Sequence, residues 1–122
     1  MARQTALFLI MDVIETYVQG MNEGNAAALR GVFHADAQII GRFEGALEWD
    51  GLEAFIRACE DGASHGGQPA SRYEIHGVDI SGDTAVARVA TVWGGLNFFD
   101  TLSLVHDGGR WQIVARVFTY LG

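Results

Sequence analysis

Asp100 stands in the middle of the stretch LNFFDTLSLV, Leu96 to Val105. In an extended chain it shares a row with Leu96, Phe98, Leu102 and Leu104, while Asn97, Phe99, Thr101, Ser103 and Val105 face the other way. A charged carboxylate in an apolar row is costly unless it is paired or hydrogen-bonded, and otherwise it holds a proton. Each case has its own chemistry. A paired carboxylate orients its neighbours, whereas a protonated one can donate to a developing oxyanion. Arg116 is the natural partner, because WQIVARVF puts Gln112, Val114, Arg116 and Phe118 on one face. A three-residue loop of Asp107, Gly108 and Gly109 would set Asp100 directly opposite Arg116, and a two-residue loop would set it against Ala115. The repeated glycines favour the bulged three-residue loop. A nearby arginine favours a charged carboxylate and works against a neutral donor.

Three further groups could take part. Tyr17 lies on an apolar helical stripe, as a pocket donor or as a core aromatic whose hydroxyl finds a partner. His34 and Asp36, two apart in FHADA, could form an acid–base pair, or Asp36 could bond backbone amides at a helix-to-strand junction. Phe43, Trp49, Trp93, Phe98 and Phe118 are enough aromatics to line an apolar pocket, although each singly also suits a core or a subunit interface. His65, His76 and His106 share no ligand spacing, so no metal site and no cofactor are expected. Cys59 reads as a small buried hydrophobe.

The elements that must position these groups change character near residue 72. Before it, Leu7, Ile10, Ile14, Tyr17 and Met21 recur at helical spacing. Asn25 is a plausible N-cap for AAALRGVF, and AQIIGRF and ALEW read as two strands around the turn Glu44–Gly45. Asp50 could cap GLEAFIRACE, with Glu53 completing a capping box. DGASHGGQPAS reads as a polar loop. After it come four strands of period two, about 72–80, 84–94, 96–106 and 110–120, with SGD and DGG as turns and Gly94–Gly95 as a bend or bulge. This is one α+β domain, 1–122, with helices on one face of a mostly antiparallel sheet.

Composition narrows the function. A net charge of −7 argues against nucleic acid and anionic membrane. All eight basic residues are arginine, so lysine Schiff-base chemistry is excluded. One cysteine fits a reducing, cytoplasmic setting, and no apolar run is long enough for a bilayer.

The segments YVQGMNEGNAAALRGVFHADAQI, GDTAVARV and DTLSLVHDGGRWQIVARVF, in this order, resemble the NTF2-like superfamily, and within it the SnoaL-like, putative lumazine-binding group. The resemblance covers nearly the whole chain. It implies a cone of three N-terminal helices on a curved sheet, with an open mouth and an outer sheet face that pairs with a second copy. The ketosteroid isomerases of the superfamily imply a residue-level test. Tyr17 matches their helix-one tyrosine and Asp100 their protonated acid, while their base position falls at Gly41, which has no side chain. Isomerase activity is therefore not expected.

The reading that follows is a small soluble homodimeric domain binding an apolar or aromatic small molecule. Tyr17, Phe43, Trp49, Phe98, Asp100, Arg116 and Phe118 are its candidate site residues. The alternatives are a cyclase, isomerase or dehydratase using Tyr17, His34 and Asp100, and a dimerisation module with no ligand.

Overall fold

The computed structural model describes residues 3–64 and 72–122. The polar loop expected at 61–71, and His65 within it, fall mostly outside the described residues, but 61–64 continue a helix. Helix α1 (Arg3–Glu23) buries Ile10, Ile14, Tyr17, Val18 and Met21 along one stripe. Gly24, at φ +64°, ends it, and the Asn25 amide bonds back to the Gly20 carbonyl. The Asn25 side chain then accepts from the Ala28 amide and caps α2 (Ala26–Val32). One residue thus closes the turn with its backbone and starts the next helix with its side chain.

Strand β1 (Phe33–Phe43) and strand β2 (Ala46–Gly51) form a hairpin through Glu44 and Gly45, both at positive φ. Helix α3 (Leu52–Ser64) follows that hairpin, so only two helices precede the first strand, not three. Asp50 belongs to β2 rather than capping α3, and Glu53 pairs with Arg30 of α2 at 2.7 Å instead of closing a capping box.

The meander comprises β3 (Arg72–Ser81), β4 (Thr84–Trp93), β5 (Leu96–Asp107) and β6 (Arg110–Tyr120). The six strands run in the order β2-β1-β6-β5-β4-β3, antiparallel except where β1 lies parallel to β6. Gly94 and Gly95 make a tight two-residue turn, with Trp93 paired to Leu96, and not a bend. The inner sheet face carries Val89, Phe98, Leu102, Leu104, Ile113 and Phe118 against the helices. Burial of such side chains, ~1.5–3 kcal/mol each, drives the packing of helices on sheet.

The β5–β6 register differs from expectation in two places that compensate. The loop is two residues, Gly108–Gly109, both at positive φ, with Asp107 opposite Arg110. A bulge at Val114 then slips β6 once more, so Asp100 faces Phe118 and Arg116 faces Leu102. A single slip would have moved Arg116 to the outer face; two return it to the inner one. Arg116 is therefore a diagonal neighbour of Asp100 rather than its direct partner. Oxidative cross-linking reads this register. Thr101→Cys with Val117→Cys, directly opposite on the outer face, is expected to form a disulfide readily. Preferential cross-linking of Thr101→Cys with Ala115→Cys would refute it.

Candidate functional site

Asp100 is fully buried, and four elements meet at its carboxylate. From α1, the Tyr17 hydroxyl donates to Oδ2 at 2.5 Å. From β4, the Thr91 hydroxyl donates to the same oxygen at 3.4 Å. From β6, the Arg116 guanidinium lies 3.2 Å from Oδ1. Burial pushes the Tyr17 phenol well above its ordinary pKa; Arg116 pulls it back and Asp100 raises it again. Tyr17 thus keeps its proton and donates a hydrogen bond through it to Asp100. Burial opposes the charge of Arg116, but Tyr17 and Asp100 outweigh that and raise its pKa further.

Arg116 forms the floor of a cavity of about 210 Å³. Arg116 reaches the cavity; Tyr17 and Asp100 do not, and lie behind its wall. The guanidinium carbon sits 4.6 Å from the Phe118 ring centre, 5.3 Å from that of Phe55 and 5.5 Å from that of Phe98. These are cation–π distances. Phe43 stacks on Phe98 at 6.2 Å to extend the aromatic wall. Trp93 closes another side, packed on Gly62 of α3, where an added Cβ would come within 2.7 Å of the indole. Cys59 lines the cavity too, its thiol pushed up to about 12 chiefly by burial, so it is an inert wall rather than a nucleophile.

Of the residues expected at the site, Phe43, Phe98, Arg116 and Phe118 line the cavity together. Trp49 does not. It pairs with Ile40 and is 63% exposed on the outer sheet face. Its β2 neighbours Glu48 and Asp50 point inward in its place. The two-residue turn at Glu44–Gly45 could have revealed this, since it pairs Glu48 with the inward-facing Gly41. His34 is exposed, outside the cavity, and its Nδ1 accepts from the Asp36 amide at 2.9 Å. His76 sits at a bulge on the outer face, 3.0 Å from Glu74. Among the described residues no cluster of three His, Cys, Asp or Glu stands ready for a metal.

Gly41 faces Phe118 across the parallel pair. A Cβ there would lie 2.5 Å from the Phe118 carbonyl oxygen and 2.6 Å from its ring. The aromatic ring has taken the space that a base would need, so Gly41→Asp cannot simply restore one. The oxyanion arrangement is absent as well, because the hydroxyl of Tyr17 is spent on Asp100.

The ion pair makes a measurable demand on stability. Arg116→Met leaves Asp100 buried without its counter-charge and is expected to cost about 3–5 kcal/mol in urea denaturation. Adding Asp100→Asn should recover a substantial part of that loss. Equal stability of the single and double variants would show that Asp100 does not depend on Arg116.

The sequence model of the putative lumazine-binding family matches residues 6–119. An NTF2-like protein of unknown function from Silicibacter pomeroyi DSS-3 superposes with a TM-score of 0.94 at 32% identity, covering 99% of this chain and 100% of that one. One from Shewanella baltica OS155 gives 0.88 at 21% identity, covering 100% and 98%. A ketosteroid isomerase-like protein from Erwinia carotovora atroseptica SCRI1043 gives 0.72 at 17% identity, covering 95% and 96%, a likeness of fold alone. No curated protein matches the chain. With its helices, six-stranded sheet and matched residues 6–119, the chain belongs to the NTF2-like, putative lumazine-binding family.

Proposed function

We propose that this protein binds a small planar molecule in the aromatic cavity above Arg116, without chemically altering it. The observation that carries this is the wall of Phe43, Phe55, Phe98, Phe118 and Trp93 around one buried guanidinium. A cavity of roughly 150 Å³ is known to accept benzene. At about 210 Å³ this one suits a larger flat system, such as two fused rings. Flat aromatic ligands gain from stacking and edge contacts with such walls. Arg116 can donate to a ring carbonyl while its charge stays balanced by Asp100. Lumazine, the molecule in the family's description, is a planar bicycle rich in carbonyl acceptors. Catalysis by Tyr17, His34 and Asp100 is disfavoured: two of them lie behind the wall and the third lies outside it.

Calorimetric titration with lumazine tests this. Binding at a Kd of roughly millimolar or tighter is expected for a ligand of this size. Ala58, exposed at the cavity edge on α3, offers a way to block it. Ala58→Trp should abolish binding and leave the melting temperature near that of the wild type. Lumazine binding indifferent to Ala58→Trp, or the failure of lumazine and of other flat bicyclic probes to bind, would refute the reading.

The same reading includes a homodimer through the outer sheet face. Leu47, Trp49, Val86 and Val117 are 41–63% exposed. Phe99, between Arg88 and His76, adds to this side. Exposed apolar side chains of this extent on one sheet face favour a second layer. Light scattering is expected to give about twice the 13.2 kDa of one chain, and Trp49→Glu to shift it toward the monomer. A monomeric wild type at micromolar concentration would rule this out.

A further inference from the structure

Charge around the cavity is unevenly balanced. Arg116 is the one cation among the described lining residues, and Asp100 already matches it at 3.2 Å from behind the wall. Glu48 and Asp50 reach the cavity from alternate positions of β2, so their carboxylates share its inward side. Both are exposed, which puts them at the mouth. Neither forms an ion pair with a described residue; Arg30 is taken by Glu53. Arg42 lies on the other face of β1, and Arg57, beside the lining Ala58, does not line the cavity. An incoming molecule therefore meets two unbalanced negative charges at the entrance and a neutralised pair at the floor.

The geometry points to a ligand that is planar and either neutral or cationic, with an acceptor such as a ring carbonyl toward Arg116 and an amine or ring N–H between Glu48 and Asp50. The inference rests on the binding reading above and adds its charge. It runs against what an arginine in a pocket would suggest alone. An anion entering this cavity gains little from Arg116, whose charge is shared with Asp100, and is repelled by the mouth. A cation or N–H donor gains from both carboxylates and leaves the floor pair intact.

Three probes of one shape isolate charge from fit: 2-naphthylmethylammonium, 2-acetylnaphthalene and 2-naphthoate. Each is titrated calorimetrically at low salt into the wild type, into Ala58→Trp, and into the double variant Glu48→Gln with Asp50→Asn. In the wild type the cation is expected to bind on the order of tenfold tighter than the anion, the scale set by two solvent-screened charges, with the neutral ketone between them. The double variant should remove the difference while still binding the ketone. Ala58→Trp should abolish binding of all three. Naphthoate binding as tightly as the cation, or a preference that survives the double variant, overturns the charge inference and leaves the binding reading standing. If no probe, nor lumazine, binds in a way that Ala58→Trp blocks, both fall together.

Discussion

A carboxylate with no access to water constrains this molecule more than any other group. Asp100 can be charged inside the fold only if its neighbours replace the hydration it lost, and they come from three separate elements besides its own strand. Tyr17 fixes α1 against the sheet, Thr91 contributes from β4, and Arg116 ties in β6. Losing any of these contacts leaves a buried polar group unsatisfied, so the relative placement of helix and strands is set by one residue. The arrangement is not fully satisfied even so. Among the described residues, Asp100 Oδ1 has no hydrogen bond of good geometry beyond its ion pair, and Arg116 Nε has no hydrogen-bond partner. Replacing a buried ion pair by well-packed apolar residues is often neutral or stabilising, whereas removing one partner alone is costly.

The same guanidinium serves two layers. One side is held by Asp100, and its flat faces carry the phenylalanines that wall the cavity. Electrostatics beneath and dispersion above meet at Arg116. Tyr17 and Asp100 face each other in this chain rather than the cavity. The isomerase-like neighbour shares 95% of the chain's extent but only 17% of its residues. Fold carries the cone, and side chains decide what the cone does.

Much of this was legible in the sequence because strand physics is local. Period-two alternation and paired glycines located the meander strands to within a residue or so of Arg72–Ser81, Thr84–Trp93, Leu96–Asp107 and Arg110–Tyr120. The shared face of Asp100 and Arg116 survived an error in loop length, because the bulge at Val114 restored the parity. β2 was less legible. Every residue in it is exposed, so no burial pattern distinguishes its two faces, and the large indole of Trp49 suggested the wrong one. Asp50 has the chemistry of a helix cap and the position of a cavity carboxylate, and only the β1–β2 register separates the two. Likewise α3 runs on through Asp61 and Gly62 because tertiary packing against Trp93 overrides the weak helix propensity of glycine.

The contact between Gly41 and Phe118 also bears on evolutionary reach. Most catalytic residues can be regained by one codon change when the surrounding site is intact. Here a side chain at position 41 meets not only a ring, which a second substitution could shrink, but a main-chain oxygen at 2.5 Å, which no substitution at 118 removes. The two parallel strands would have to move apart, and the aromatic wall over Arg116 would move with them. The route from this cavity to a proton-abstracting site at that position therefore passes through at least two coupled changes with a destabilised intermediate. Backbone geometry thus closes position 41 to a side chain, and new chemistry would have to enter from other positions around the rim.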